Sequence, residues 1–350
     1  MRTIAYLAIS LTTILSTVQS FAQLGPSTFK KLDSLLQTSV PRPFNGVILI
    51  TEKGKTTYSR TRGHADLENS TPIKLTDRFR IQSNSKQVTA VLILLEMERG
   101  KIDLHTPIKK YLPQNVQSWT DTVTVHQLLN MSAGISQLDR PLAFRPGTGF
   151  LYSNPAYGLL GKILENVTGK PYADLANELF KNLGMANTYC YAMDGENPGL
   201  ISGYMASASA TDLVDFHKLG FTTASWKNFL PGGGIISNAA DLNSWDHKLH
   251  HGRVLKPQSY QQMTNSEVID ADYTFSEHKS NYGYGVNINS QQPPKYIGHA
   301  GRGLGFVSLK FYIPEKDLDV VILENIYHRD INIVYHFERE IRKIVLEGIR

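Results

Sequence analysis

The chain has 350 residues, of which 41% are hydrophobic and 19% are charged. This balance is ordinary for a globular protein with a large core, and it excludes disorder of the whole chain. The net charge of +5 comes from scattered Lys and Arg residues. No basic run marks a nucleic-acid-binding tail, so we expect no nucleic-acid partner.

The first residues have the pattern of a secretory signal peptide. Met1 and Arg2 give a positive start, residues 4–15 are apolar, and Ser20 and Ala22 are small residues at the positions that signal peptidase recognises. We predict cleavage after Ala22 and export of residues 23–350 to the periplasm or the medium, with no stable membrane span. An uncleaved N-terminal anchor is the alternative interpretation.

Hydrophobic periodicity predicts strands at both ends of the mature chain and helices between them. A helix at 29–38 and a hairpin of strands 45–51 and 56–61 come first. The predicted helices are 83–99, 124–131, 157–168, 171–182 and 240–251. The late strands are 282–289, 296–299, 306–313 and 318–324, followed by an amphipathic helix at 332–347.

Pairing the strands of both ends into one antiparallel sheet is the economical arrangement. We therefore predict an α/β (α+β) fold, with an antiparallel sheet flanked by helices and an all-helical insertion. Residues 23–350 are expected to form a single domain. Its sheet part would comprise about 23–82 and 280–350, and its helical part about 83–279. A catalytic cleft is expected between the two parts.

Three constellations of residues are candidates for chemistry, and the first is Ser83-Asn-Ser-Lys86. Positions three apart share a helix face, so the ammonium of Lys86 can reach the hydroxyl of Ser83. A desolvated Lys has a lowered pKa and can take the Ser proton. The chain contains two further Ser-x-x-Lys spacings, at Ser27 and Ser276. Only Ser83 begins a long apolar helix; a simple helix cap is its structural alternative.

The second constellation is Tyr152-Ser-Asn154, the only Tyr-x-Asn in the chain. A neighbouring cation such as Lys86 would favour the phenolate of Tyr152, which can then act as general base and later as acid. Asn154 offers an amide to a substrate carbonyl. A loop Tyr with a helix-capping Asn is the alternative interpretation.

The third constellation is His299-Ala-Gly301, followed by Arg302 in a glycine-rich run. Glycine lets a backbone approach a substrate closely, and an exposed strand edge can lend an N–H to an oxyanion. His-x-Gly occurs once more, at His250.

Other candidates are weaker. His247, His250 and His251 have a spacing that can bind zinc, but no carboxylate follows in a metalloprotease pattern. An exposed helix face is favoured, and no metal and no cofactor are predicted. Cys190 has no obvious base beside it in the sequence.

The ordered set Ser-x-x-Lys, Tyr-x-Asn, His-x-Gly resembles the serine β-lactamase and penicillin-binding protein family. The class C and D-alanyl-D-alanine carboxypeptidase-like branch is the most similar. The resemblance extends over nearly all of residues 25–350. It includes the segments Gly100-Lys-Ile-Asp-Leu, Tyr111-Leu-Pro, Val125-His-Gln-Leu-Leu, Ser132-Ala-Gly-Ile, Arg145-Pro-Gly, Leu183-Gly-Met, Gly232-Gly-Gly-Ile-Ile-Ser and Asp241-Leu.

The resemblance implies a β-lactamase/transpeptidase-like fold and a role for each motif residue. Ser83 would be the nucleophile, Lys86 would keep it deprotonatable, and Tyr152 would shuttle the proton. Asn154 would position the substrate amide. The backbone N–H groups of Ser83 and Arg302 would form the oxyanion hole.

One residue departs from the family pattern. His299 lies where many relatives carry Lys, a permanent cation suited to a substrate carboxylate, whereas His is mostly neutral at pH 7. This difference favours a D-amino-acid peptidase or esterase over a class C β-lactamase or DD-carboxypeptidase, although Arg302 could restore the charge. The expected substrate is a small peptide, ester or β-lactam-like molecule. The rival from another class is a non-catalytic relative that binds cell-wall peptides or self-assembles. The oligomeric state is not determined by the sequence.

Overall fold

The computed structural model describes residues 24–216, 218–266, 268–270, 275–276, 278–291 and 293–349. The predicted signal peptide lies outside the described residues. Within these ranges, no helix is both long and apolar enough to span a membrane. The α-helices are α1 Pro26–Leu36, α2 Ser85–Glu98, α3 Val125–Leu129, α4 Asn154–Thr168, α5 Tyr172–Asn182, α6 Thr223–Gly233, α7 Ala239–His250, α8 Pro257–Thr264, α9 Ile331–Val334 and α10 His336–Gly348.

The strands fall into two groups along the chain, one before α2 and a longer one after α8, with short strands between. They are β1 Gly46–Glu52, β2 Lys55–Arg62, β3 His64–Asp66, β4 Thr71–Pro72, β5 Phe79–Arg80, β6 Tyr189–Cys190, β7 Tyr204–Ala206, β8 Thr211–Leu213, β9 Ile235–Ser237, β10 Ile269–Asp270, β11 Ser280–Tyr282, β12 Asn287–Asn289, β13 Tyr296–Gly303, β14 Phe306–Ile313, β15 Leu318–Glu324 and β16 Ile326–His328.

One antiparallel sheet joins the two ends of the chain, as the sequence predicts. Within the described part of the chain it has eight strands, in the order β10-β11-β12-β13-β14-β15-β1-β2. The closing pair is β1 with β15, in a register that places Gly46 opposite Glu324 and Glu52 opposite Leu318. The insertion predicted as all-helical is mainly helical, but it also carries the short strands β6 to β9, which pair with β5 and β16 in two small sheets.

Alternation along β1 gives the sheet two buried faces. Successive side chains of a strand point to opposite faces. Ile48 and Ile50 belong to the core that contains α1 and α10, whereas Val47 and Leu49 belong to the core that contains the middle helices. The sheet is therefore covered on both sides, and α2 lies deep in the second core, with eleven of its 14 residues buried.

The strand predicted at 282–289 is wrong. The segment is a hairpin of β11 and β12, and it turns through Gly283 to Val286. Gly285 has a φ of +66°, and a Cβ at this position would lie only 2.6 Å from the carbonyl oxygen of Lys86. Glycine is needed there because the turn bends sharply while it packs against α2.

Among the described residues, the two helices α6 and α8 are not predicted from the sequence, and one predicted helix is divided. Helix α6 contains Pro231 followed by Gly232 and Gly233, residues that normally predict the end of a helix. Helix α8 is short. The predicted helix at 332–347 is split at Tyr335 into α9 and α10.

A buried arginine just before β1 binds the end of the neighbouring strand β15. Both terminal nitrogens of Arg42 donate to the carboxylate of Glu324, at 2.6 and 2.7 Å, and the guanidinium lies 3.6 Å from Glu338 on α10. All three side chains are almost fully buried. The network ties the segment before β1 to the end of β15 and to α10.

Replacing Arg42 should therefore cost far more stability than replacing a surface cation. We expect Arg42→Ala to lower the free energy of unfolding by about 3–5 kcal/mol, because it leaves buried carboxylates without a partner. The matched control is Lys170→Ala, which removes an exposed pair with Glu178 and should cost less than about 1 kcal/mol. Urea denaturation of both variants measures the difference. Equal losses of unfolding free energy in the two variants would contradict a stabilising role for the buried Arg42 network.

Candidate active site

Ser83 lies in a short 3₁₀ turn, Gln82–Asn84, that runs directly into α2. The turn begins where β5 pairs with β9, and the N–H of Ile81 donates to the carbonyl of Ile235 at 3.0 Å. Gln82 has a φ of +50°, which is uncommon for a residue with a side chain. The chain therefore turns sharply just before Ser83, which is half-buried at the start of a buried helix.

Side-chain hydrogen bonds attach this turn to the neighbouring hairpin of β13 and β14. The amide of Gln82 donates to the carbonyl of Gly303 at 2.7 Å. The amide of Asn84 donates to the hydroxyl of Ser308 at 2.9 Å, and this hydroxyl donates to the carbonyl of Ile81 at 2.8 Å. The position of Ser83 is thus set by contacts on both sides of it.

Gly301 lets β13 approach the turn. A Cβ at this position would lie 2.7 Å from the hydroxyl of Ser308 and 2.8 Å from the carbonyl oxygen of Ile81, which is closer than Cβ atoms pack. Gly301 is buried in this contact. Strand β12 pairs with β13 only as far as Gly298, so among the described strands the rest of β13 pairs with β14 alone.

Lys86 is wholly buried and surrounded by neutral oxygen atoms. Its Nζ lies 3.2 Å from Oγ of Ser83, 2.7 Å from Oδ1 of Asn154 and 2.7 Å from the carbonyl oxygen of Gly232. Burial lowers the pKa of Lys86 from its ordinary 10.5 to about 7, because a charged ammonium is costly to hold away from water. At neutral pH, a large fraction of this amine can accept a proton.

The Tyr152-Ser-Asn154 segment leads into α4, and Ser153 is the residue that caps the helix. Its hydroxyl accepts a hydrogen bond from the N–H of Ala156 at 3.1 Å. Asn154 is therefore the first helical residue, and its side chain is free to bind Lys86 instead of capping. This arrangement brings the second motif next to the first.

Tyr152 completes the cluster from the cleft side. Its side chain is 40% exposed, and its ring centroid lies 4.8 Å from Nζ of Lys86 and 6.2 Å from the ring of His299. A cation over the face of a phenol ring is electrostatically favourable. The structure thus places Ser83, Lys86, Tyr152 and Asn154 together, as the motif order leads us to expect.

His299 is also at this place, but it is buried and uncharged. Its Nε2 lies 3.0 Å from the hydroxyl of Tyr282, and its Nδ1 donates to the carbonyl of Ala300 at 2.5 Å. Burial and the nearby Lys86 lower the pKa of His299 to about 3, although the bond to the carbonyl opposes the shift. At neutral pH this imidazole supplies no positive charge.

These residues open on a cavity of about 400 Å³. Aromatic side chains form much of its wall, and Arg302 is the only permanently charged residue among the described residues that line it. Arg302 is exposed, with its guanidinium 5.5 Å from the ring centroid of Tyr335. The described lining contains no carboxylate or thiol that could bind a metal ion together with His299. It consists of Ser83, Phe150, Tyr152, Asn154, Phe275, Asn287, His299, Ala300, Arg302 and Tyr335.

The other Ser-x-x-Lys spacings lack this environment. Ser27 and Lys30 are exposed on α1, and Lys279 is exposed beside a buried Ser276. Cys190 is buried, and burial raises the pKa of its thiol to about 12, which disfavours the reactive thiolate. Among the three spacings, only Ser83 has a buried lysine.

Several supporting residues were missed because their role depends on tertiary contacts. Gly232 binds Lys86 through a carbonyl that lies far away in the sequence, and Ser308 and Tyr282 support the site from other strands. The exposed helix face predicted for the histidines of α7 is wrong for His250. Its side chain is 1% exposed and stacks on Tyr312.

The sequence matches the protein-family model described as Beta-lactamase over residues 42–340. This match covers most of the chain, which therefore belongs to the beta-lactamase family. Protein flp of Staphylococcus aureus strain N315 is 24% identical over 306 residues, covering 80% of this chain and 59% of its own length. The chain thus spans less than two thirds of that relative. Penicillin-binding protein 4* of Bacillus subtilis strain 168 is 25% identical, covering 85% and 71%.

Among solved structures, D-amino acid amidase from Ochrobactrum anthropi SV3, complexed with L-phenylalanine amide, has a similar fold. The TM-score is 0.76 at 23% sequence identity, and the alignment covers 92% of this chain and 98% of the amidase. The predicted β-lactamase-like arrangement of an antiparallel sheet and flanking helices is confirmed by this likeness and by the family match.

Proposed function

We propose that the protein is a serine hydrolase that cleaves amide or ester bonds through an acyl-enzyme on Ser83. The observation that carries this proposal is the wholly buried Lys86, whose Nζ lies 3.2 Å from the hydroxyl of Ser83. A buried amine with a pKa of about 7 can remove the Ser proton at neutral pH, which is what a serine nucleophile requires.

In the proposed reaction, the hydroxyl oxygen of Ser83 attacks the substrate carbonyl while its proton passes to the neutral amine of Lys86 or to the phenolate form of Tyr152. Tyr152 faces the cleft, so it is placed to deliver a proton to the leaving amine or alcohol. The bond to the leaving group breaks, and the acyl group stays on Ser83. Water then attacks the ester, gives its proton back through the same groups and releases the acid.

The developing oxyanion needs hydrogen-bond donors that are already in place. We assign this role to the backbone N–H groups of Ser83 and Arg302. Two observations support the assignment: Ser83 lies at the N-terminal end of a helix, where N–H groups have no helical partner, and Arg302 belongs to the part of β13 beyond its pairing with β12. Asn154 would hold the substrate amide from the other side of Lys86.

For the substrate class, we favour D-amino-acid peptides, amides or esters. The fold of an amidase that acts on D-amino acids supports this choice, and so does the uncharged His299. A class C-type β-lactamase or DD-carboxypeptidase is the second candidate, because Arg302 offers a cation to a substrate carboxylate. The aromatic wall of the cavity suits a small substrate with an apolar side chain.

We also propose that the protein acts outside the cytoplasm, in the periplasm or the medium. The pattern of residues 1–22 supports this location, because a positive start, an apolar run and small residues before Gln23 are typical of a cleaved signal peptide.

The proposal is tested by covalent labelling and by turnover. The wild-type protein should form a stoichiometric adduct with a fluorophosphonate or penicillin probe, and Ser83→Ala should abolish it. A turnover panel of nitrocefin, D-amino-acid amides, D-Ala-D-Ala peptides and short-chain esters would identify the substrate class. The exposed Ser27→Ala serves as the matched control and should retain labelling. Absence of an adduct with every probe would favour the non-catalytic cell-wall-peptide-binding or self-assembling relative.

The activity should increase with pH through the pKa of Lys86. Because only the neutral amine accepts the Ser proton, kcat/KM should rise between pH 6 and 8 with a midpoint near 7. At one pH unit below this midpoint, kcat/KM should be about one tenth of its maximum at high pH. Burial lowers the pKa of His299 to about 3, well below this pH range, so His299→Asn should keep the rise of activity between pH 6 and 8. Lys86→Arg keeps a charge that cannot be lost. If this variant retains full activity, the proton-acceptor role is refuted.

Arg302 should decide how well carboxylate-bearing substrates are accepted. A hydrogen bond to a charged group contributes about 1.5–3 kcal/mol, so Arg302→Ala should lower kcat/KM for substrates with a free carboxylate by roughly ten- to hundredfold. Neutral amides and esters should change little, and Arg302→Lys should recover part of the loss. An unchanged ratio between carboxylate and neutral substrates in Arg302→Ala would contradict this role.

A further inference from the structure

The C-terminal end of α7 brings two histidines next to an aspartate from a distant turn. His247 and His251 are one helical turn apart, and Asp317 lies between β14 and β15. A potential ligand atom from each side chain lies within 4.8 Å of the other two. Two imidazoles and one carboxylate form a ligand set that binds zinc and related divalent metals.

A hydrogen bond to the backbone orients His251 as a metal ligand. Its Nδ1 lies 2.7 Å from the carbonyl oxygen of His247, and a carbonyl can only accept, so Nδ1 carries the proton. The lone pair is then on Nε2, which lies 3.4 Å from Oδ1 of Asp317. Two ligands of a tetrahedral zinc ion are separated by about 3.4 Å, given metal–ligand bonds of about 2.1 Å. An imidazole fixed by a backbone carbonyl is the usual outer-shell arrangement at metal sites.

The aspartate is also held in place. The hydroxyl of Tyr312 donates to Oδ1 of Asp317 at 3.0 Å, and the carbonyl of Asp317 accepts from the N–H of Lys53 at 2.7 Å. These bonds fix both the side chain and the turn that carries it. The exposed fractions of His251 and Asp317 are 32% and 31%, so an ion can reach the cluster from solvent.

The neighbouring residues are compatible with a cation here. The ammonium of Lys248 is turned toward the carbonyl of Leu183 and the hydroxyl of Ser244, at 2.7 and 2.6 Å. Arg253 is exposed to solvent, where its charge is screened. His250 is not part of the cluster, because it is buried and its Nδ1 is bonded to Tyr260.

We propose that His247, His251 and Asp317 form a binding site for a divalent transition metal of the zinc class. The ion would cross-link the end of α7 to the β14–β15 turn and leave a fourth position for water. This site shares no residue with the described lining of the Ser83 cavity, so we assign it a structural role that is independent of the proposed hydrolysis. The sequence favours an exposed helix face over a zinc site for these histidines, because the carboxylate comes from another part of the chain.

The test is zinc binding by the tag-free protein after treatment with EDTA and exchange into chelator-free buffer. Calorimetric titration with Zn²⁺ should give one ion per chain, and saturating Zn²⁺ should raise the melting temperature. His247→Gln and Asp317→Asn should each weaken binding at least tenfold. The matched control, His105→Gln, removes an exposed histidine elsewhere and should leave binding unchanged.

Tyr312→Phe leaves all three ligands and removes only the bond to Asp317, so it should weaken binding less than Asp317→Asn does. Circular dichroism melts without metal establish that each variant is folded. The proposal is overturned if the wild-type protein shows no saturable binding below 100 µM Zn²⁺ or if the folded His247→Gln and Asp317→Asn variants bind as the wild type does.

Discussion

The buried ammonium of Lys86 is the constraint on which the rest of the site depends. Its hydrogen-bond acceptors are neutral and come from three separate elements: the Ser83 turn, the start of α4 at Asn154 and the end of α6 at Gly232. A carboxylate at any of these positions would favour the charged form and raise the pKa. Neutral acceptors satisfy the amine's hydrogen bonds and still allow it to lose its proton. The same contacts hold the helices that frame the cavity.

The charge distribution around the cavity follows from burial. Many relatives are expected to place a permanent cation at the third motif, but His299 is held neutral by its surroundings. Its bonds to Tyr282 and to the carbonyl of Ala300 give it a positioning role in the wall. Among the described residues that line the cavity, the permanent positive charge belongs instead to the exposed Arg302. A charge in water interacts weakly over distance, so recognition of a carboxylate would depend on direct contact with this side chain.

Motif order and periodicity were sufficient for the fold class and for the positions of the central residues. Ser83 and Lys86 share a helix face because the spacing requires it, and β14 and β15 have the largely apolar sequence that is typical of strands buried on both faces. The hairpin at Gly285 was not predictable, because its turn depends on contact with α2. Similarly, α6 was hidden by Pro231, which the structure accommodates by packing it against Gly161. Predictions from local sequence patterns are wrong where the conformation of a residue depends on a contact with a residue far away in the chain.

The closure of the sheet by β1 and β15 has a consequence for biosynthesis. Strand β1 can form a hairpin with β2 early, but its other edge has no partner until residues near Glu324 have been made. The β13–β14 hairpin that supports Ser83 also comes late in the chain. Such non-local pairing folds slowly and after translation is nearly complete. A ribosome-bound or truncated product that ends before β13 therefore contains the serine and the lysine but lacks the strand that would complete the proposed catalytic centre.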